Sequence, residues 1–253
     1  KKIKKNCNNI LVSIGQINLL VNTILASFLV TGSVSWLYYS DRLMEFPLGV
    51  FGVALATVIL PTLSRQVAKK EEESYQETLD WALRLVFLIC LPAAAALAIL
   101  AFPLMVSLFQ YGAFSDEDAG MASRALVAFS IGLIGFVTVK VLAPGFYARK
   151  DTHTPVLIGA IAMAVNALVA VVLVWDLAHV GLALATSAAG LVNAFLLYHR
   201  LNKLGHFSAR AGWGMFLARV VLATAAMSVF LYFTQGLQSE WLDAGLVERV
   251  GRL

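Results

Sequence analysis

The chain reads Trp36-Leu-Tyr-Tyr-Ser-Asp-Arg-Leu-Met-Glu-Phe-Pro47 between two long apolar runs. Ile10–Val34 contains no charged residue, and neither does Phe46–Leu63. Both runs are typical of membrane-embedded helices, and the connection between them is too short for a solvated loop. Its ionisable side chains are therefore predicted to lie at or below the membrane interface, where such groups line a pathway or a binding cavity. They are Asp41, Arg42 and Glu45.

The composition of the whole chain excludes a soluble globular domain. Hydrophobic residues make up 60% of the 253 positions and charged residues only 13%, whereas soluble domains average about 25% charged residues. A membrane-spanning helix needs about 20 apolar residues. We therefore predict an all-α, polytopic helical membrane protein with seven spans. They are Ile10–Val34, Phe46–Leu63, Leu79–Leu108, Met121–Tyr147, Pro155–Trp175, Val180–Tyr198 and Phe216–Thr234.

The charges between the spans predict the orientation of the chain. Basic clusters alternate with connections that carry few basic residues. The basic clusters are Lys1–Lys5, Arg65 with Lys69 and Lys70, Arg149 with Lys150, and Arg200 with Lys203 and Arg210. The other connections are Gly32–Ser40, Tyr111–Gly120, Asp176–His179 and Gln235–Asp243. Because basic loops stay in the cytoplasm, the N-terminal end of the chain is predicted to be cytoplasmic.

Helical spacing groups the charges of the second span with small residues. At 100° per residue, one sector of about 100° carries all of them. The members are Asp41, Arg42, Glu45, Gly49, Gly52 and Ala56. This stripe predicts a cavity wall with an anionic or zwitterionic guest near Arg42, because guanidinium binds phosphate in a bidentate manner. Two alternatives remain: an ion pair that only caps the helix, or a helix that begins at Pro47 and breaks the stripe.

Three further polar residues inside the spans are candidates. Asn18 and Asn22 could coordinate an ion in the first span, or could hydrogen-bond a neighbouring helix. Lys140, in the fourth span, is either a snorkelling side chain or a cation that faces a cavity and contacts substrate.

Enzyme signatures are missing from the sequence. The histidines form no metal-binding pattern, the two cysteines have no metal-site spacing, and no phosphate-binding loop occurs. We therefore expect no enzyme, no metal and no cofactor. Any transport would then depend on a cation or anion gradient, the membrane potential or a partner.

Three segments resemble the lipid II flippase (MurJ, also called MviN) family. They are Gly32–Pro47, Ser107-Leu-Phe-Gln-Tyr-Gly112 and Val139-Lys-Val-Leu-Ala-Pro-Gly-Phe-Tyr147. The resemblance implies the second six-helix lobe of a MOP/MATE-like transporter plus one extra C-terminal helix, in the bacterial inner membrane. It implies flipping of lipid II from the cytoplasmic to the periplasmic leaflet by alternating access, for cell-wall synthesis.

The resemblance also implies roles for individual residues and partners. Arg42 falls on a cavity arginine of the family, with Asp41 and Glu45 at acidic positions beside it. Asn22 stands where many relatives have an acidic residue, which weakens the case for an ion site there. The implied partners are lipid II, membrane lipids and the N-terminal lobe of the same protein, with no nucleic acid.

The expected organisation has four parts: a basic cytoplasmic segment at 1–9, a six-helix lobe at 10–201, a linker with an additional helix at 202–234, and a periplasmic connection with the start of a truncated last helix at 235–253. The missing initial Met favours a fragment of a longer protein. Two alternatives for the function remain. One is a related MOP exporter of drugs or of another polyprenyl-linked glycan, and the other is a non-transporting pseudo-flippase scaffold.

Overall fold

The computed structural model describes residues 20–208, 210–236, 241–242 and 249, and these residues form helices and short turns without any strand. Residues 20–27 are helical. The later helical elements are α1 (Ser33–Pro47), a π-helical segment (Leu48–Val53), α2 (Ala54–Lys69), α3 (Glu72–Ile99), α4 (Ala101–Phe109), α5 (Asp116–Ala148), α6 (His153–Lys203) and α7 (Trp213–Thr234). Within the described part of the chain, five helical segments are long and apolar enough to cross a membrane. The all-α membrane fold is confirmed.

The charged stretch lies inside a helix. α1, the π-helical segment and α2 form one continuous helical segment, Ser33–Lys69. The predicted span Phe46–Leu63 was therefore too short, and a helix that begins at Pro47 is wrong. The first predicted span was too long at its C-terminal end, because the helix stops at residue 27 and the chain turns before α1. Gly32 makes this turn with φ +104°, a conformation that favours glycine.

The fifth and sixth predicted spans are the two halves of α6. Ala178 interrupts this helix with φ 48° and ψ −129°. The oxygens Thr186 Oγ1 and Asn166 Oδ1 lie 3.3 Å apart, although 20 positions in a straight helix span about 30 Å. The chain therefore reverses at Ala178, within the predicted connection Asp176–His179. The third predicted span is also divided, because Leu100 separates α3 from α4.

Helix α5 is the centre of the bundle. In its most apolar window 67% of the residues are buried, against 28% or less in each of the other four candidate spans. Small residues bring α6 close to it: a Cβ added to Gly135 would lie 2.7 Å from the carbonyl carbon of Gly190. Packing of this kind replaces the hydrophobic effect as the main attraction between helices in lipid.

One end of the bundle, the basic end, is held together by polar contacts of α3. Arg149 pairs with Glu72 and lies over the Tyr75 ring, 4.3 Å from its centroid. Buried Asp80 accepts hydrogen bonds from Arg84 Nε at 2.7 Å and from Trp213 Nε1 at 2.6 Å. Since Trp213 begins α7, Asp80 fixes the start of that helix against α3. A buried carboxylate needs partners of this kind.

Candidate functional site

Helix α1 has a buried face that packs on α5. Trp36 Nε1 donates to Asp118 Oδ1 at 2.7 Å, and Ser40 Oγ donates to the carbonyl oxygen of Ala122 at 2.7 Å. The buried residues recur every three or four positions, as one helix face requires. They are Ser33, Trp36, Ser40, Met44 and Pro47. Because these residues fix the rotation of α1, they also decide which side chains face away from α5.

The end of the bundle opposite the basic end, the acidic end, fixes the start of α5. Ser115 caps α5 and forms a capping box with Asp118. His179, just after the reversal in α6, makes a 3.0 Å hydrogen bond through Nε2 to the carbonyl oxygen of Met121. Its ring meets the Trp36 ring edge-on, with the centroids 4.9 Å apart. Helices α1, α5 and α6 are therefore joined at this end.

A cavity of about 360 Å³ lies on another side of α1. Its walls come from the helical residues 20–27, from α1, from α5 and from the second half of α6. The lining residues are Asn22, Thr23, Ala26, Val34, Leu37, Tyr38, Asp41, Arg42, Glu45, Phe129, Leu182 and Thr186. All three charged residues of the segment Trp36–Pro47 therefore line one cavity. The other lining groups are mostly apolar with a few polar side chains, a composition typical of ligand pockets.

Arg42 is the cation of this cavity. Its Nη1 contacts Glu45 Oε2 at 2.7 Å, and its guanidinium lies 4.9 Å from the centroid of the Tyr38 ring. The side chains of Arg42 and Glu45 are 55% and 47% exposed, so a guest can reach both. The ion pair expected from the sequence is present, but it does not cap a helix end, because the helical segment continues to Lys69. Half-buried Asp41 lies close enough to interact electrostatically with both partners.

Asn22 belongs to a hydrogen-bonded group of three side chains. Its Nδ2 donates to Thr186 Oγ1 at 3.1 Å, and its Oδ1 accepts from Asn166 Nδ2 at 3.1 Å. These bonds tie the helical residues 20–27 to both halves of α6, which is the interhelical alternative considered for Asn22. Ion binding at Asn22 stays a prediction. Asn18 lies outside the described residues.

The small residues of the predicted stripe do not line the cavity. Gly49 is exposed, whereas Gly52 is buried, and a Cβ at Gly52 would lie 3.4 Å from Lys140 Cγ. Ala56 and Lys140 also lie outside the lining. The π-helical segment explains why the small residues do not lie on the same side as the charged ones. Its i→i+5 hydrogen bonding adds a residue to the turn and rotates the rest of the helix. Lys140 therefore packs against Gly52 of the stripe. Its contact with substrate stays a prediction.

Several lining residues were missed in the sequence. Tyr38 precedes Arg42 by four positions, so the helical spacing that grouped the charges could have found it. Phe129, Leu182 and Thr186 come from distant helices, and no local pattern marks them as cavity residues. Within the described ranges, no group of three His, Cys, Asp or Glu side chains could hold a metal ion.

Comparison with known proteins identifies the family. The family model described as "Lipid II flippase MurJ" matches residues 6–250. The chain belongs to the lipid II flippase MurJ family. Among its MurJ relatives, a probable lipid II flippase MurJ of Vibrio cholerae is 45% identical over 240 residues, which cover 94% of this chain and 45% of the relative. The lipid II flippase MurJ of Burkholderia cenocepacia is 40% identical over 222 residues, which cover 88% and 43%.

Solved structures share the fold. A lipid II flippase MurJ in an inward closed conformation superposes with a TM-score of 0.78 at 24% identity, covering 94% of this chain and 49% of that one. A multidrug resistance MATE family transporter of the MOP superfamily gives a TM-score of 0.64 at 18% identity, covering 89% and 52%. The chain spans about half the length of the curated MurJ relatives it matches.

Proposed function

We propose that this chain forms one half of a lipid II flippase. The complete transporter would move the lipid-linked peptidoglycan precursor from the cytoplasmic to the periplasmic leaflet by alternating access. Membership of the MurJ family supports this activity. The residues 10–201 would form the second six-helix lobe, and an N-terminal lobe would supply the facing wall of the binding site. The proposal includes no chemical step on the lipid.

The observation that carries the proposal is the position of Arg42. It is a cation in a cavity between helices that are apolar enough to cross a membrane, and its side chain is half exposed. Its planar fork of N–H donors matches the oxygens of a pyrophosphate and stays charged at any physiological pH. Arg42 is therefore our candidate for the contact with the lipid pyrophosphate.

Asp41 and Glu45 have a different role in this proposal. A carboxylate repels a pyrophosphate, so neither residue would bind the substrate through its charge. Glu45 already holds the guanidinium of Arg42 at 2.7 Å. The two acidic side chains would keep Arg42 oriented and neutralised when the cavity is empty, and Glu45 would release it when the anion arrives.

The proposed orientation depends on the basic end. The clusters Lys69–Lys70, Arg149–Lys150 and Arg200–Lys203 all lie at the ends of helices that meet there. Because basic loops stay in the cytoplasm, we infer that the basic end faces the cytoplasm. The acidic end would then face the periplasm, and the protein would lie in the inner membrane. The energy source would be the membrane potential or an ion gradient.

The test is a substitution of Arg42 in the complete gene. Arg42→Ala should abolish complementation of a flippase-depleted strain while the protein still inserts in the membrane at normal levels. Arg42→Lys should restore growth only partly, because lysine keeps the charge but loses the bidentate geometry. Arg65→Ala is the matched control, since Arg65 is an exposed arginine of α2 outside the cavity. Normal growth with Arg42→Ala would refute the proposal.

A further inference from the structure

Lys140 is a cation within the apolar part of α5. It lies nine positions before Arg149, which corresponds to about 13 Å along the helix axis. Snorkelling moves an ammonium group only by the length of its four-carbon stem. With Arg149 at the membrane interface, that stem is too short to bring the Lys140 ammonium group there. A cation at this depth is expensive and usually faces a pathway for ions or substrate.

The geometry of α5 places Lys140 on the same helix face as a residue of the cavity. Phe129, which lines the cavity, precedes Lys140 by eleven positions, which is three helical turns with about 20° left over. Both side chains are therefore on the same face of α5. Leu133 and Val137, between them, are fully buried. Lys140 is therefore aligned with the cavity residue Phe129 along α5, but the face between the two residues is covered rather than open.

The segment Ser33–Lys69 leads to the same place. Beyond Arg42 and Glu45, its exposed surface continues to Gly49, where nothing lies within 4 Å of an added Cβ. One turn further, Gly52 packs against the stem of Lys140, with 3.4 Å between an added Cβ and Lys140 Cγ. The exposed surface of Ser33–Lys69 therefore leads from the cavity to Lys140, and no described side chain obstructs it at Gly49.

Lys140 also differs from three arginines of the bundle in its pairing. Arg42, Arg84 and Arg149 each contact a carboxylate. Among the residues that the structure describes, no carboxylate or other hydrogen-bond partner reaches the Lys140 ammonium group. Lys140 is exposed rather than buried. A cation without a counter-charge in apolar surroundings attracts an anion, and its N–H donors are free to bind one.

We propose that Lys140 is a second anion contact on the path of the lipid substrate, nearer to the basic end than Arg42. This inference rests on the proposed function, because it assigns the same phosphate groups to a second position. A pyrophosphate that enters from the basic end meets Lys140 first, passes the open surface at Gly49 and then reaches Arg42. The glycine at position 52 allows the lysine stem to cross the π-helical segment.

The experiment compares three variants of the complete transporter. Lys140→Met keeps the aliphatic stem that packs on Gly52 and removes only the charge. It should weaken binding of undecaprenyl pyrophosphate to the detergent-solubilised protein at least tenfold and slow the flipping of labelled lipid II in proteoliposomes. Lys140→Arg should recover most of both. Lys203→Met, an exposed lysine at the end of α6, should behave as the wild type. Equal melting temperatures show that folding is unchanged.

Each outcome decides the inference separately from the proposed function. If Lys140→Met binds undecaprenyl pyrophosphate as tightly as the wild type, the residue only packs on Gly52 and the inference is overturned. A wild-type protein that does not bind this probe also overturns it. If binding depends on Lys140 but the wild type does not flip lipid II, the anion contact stands and the proposed function fails.

Discussion

Trp36 and Asp118 are 82 positions apart in the chain and are joined by a 2.7 Å hydrogen bond from the indole N–H to the carboxylate. The bond connects the first turn of α1 to the first turn of α5. Asp118 at the same time accepts from the backbone N–H of Ser115 at 2.8 Å. One carboxylate therefore sets both the start of the central helix and the rotation of the helix that presents Arg42 to the cavity.

Removing this bond should destabilise the protein without unfolding α5. Trp36→Phe keeps an aromatic ring next to His179 but replaces the indole with a smaller ring that has no N–H donor. We expect a loss of about 2 kcal/mol, as for hydrogen bonds to charged groups, measured by chemical denaturation in detergent. Asp118→Asn should cost less in the Trp36→Phe background than in the wild type, and strictly additive effects of the two substitutions would contradict a direct interaction.

Asp80 should be a strong determinant of stability. Its side chain is 7% exposed and is bonded to Arg84 and Trp213. Asp80→Ala leaves both donors unpaired, so we expect a loss of about 3 kcal/mol and easier proteolysis before α7. Glu73→Ala is the control on the same helix, because Glu73 is 88% exposed and 3.7 Å from Arg210. Equal melting temperatures for the two variants would contradict the assignment.

The contact between α5 and the second half of α6 should not tolerate a methyl group. Gly135→Ala would place Cβ 2.7 Å from the backbone of Gly190, so the helices must separate and stability should fall by about 2 kcal/mol. Gly159→Ala is the matched control, since nothing lies within 4 Å of its added Cβ. There the better helix propensity of alanine should stabilise α6 slightly. Thermal unfolding of both variants in the same detergent compares them.

Asp151 should make the stability of α6 dependent on pH. Burial alone would raise the pKa of this carboxylate, but hydrogen bonds from Thr154 and His153 outweigh burial and lower it. Because the folded-state pKa is below the unfolded value of about 3.9, the contribution is present above that value and is lost as the pH falls through the folded-state pKa.

The measurement for Asp151 is unfolding between pH 6 and pH 3. Asp151→Asn keeps an acceptor for the N–H groups of His153 at 3.1 Å and Thr154 at 3.0 Å, as asparagine is an equally good cap. This variant should lose less stability than the wild type on acidification. A wild type and a variant with the same pH profile would show that Asp151 does not titrate in this range.

Local sequence patterns predicted where the helices lie, but they predicted few of the contacts between helices. Apolar run length located the spans, and the short connection Asp176–His179 located the reversal at Ala178. The role of Asp80 could not be predicted, because its partner Trp213 is 133 positions away. The cavity was predicted through the charges of α1. Gly49, Gly52 and Ala56 do not line it as helical spacing predicts. The reason is the π-helical segment, for which the sequence has no recognisable pattern.

In the proposed transporter, the Arg42–Glu45 ion pair would have a consequence for turnover. An anion that arrives at Arg42 replaces a carboxylate that is already in contact with the guanidinium, so one close ion pair is exchanged for another. Such an exchange would gain little net free energy, since Arg42 would have a counter-charge before and after it. Glu45, on the same turn of the helix, is also positioned to displace the anion again. A transporter with this arrangement would hold its substrate loosely and would return to the empty state after release.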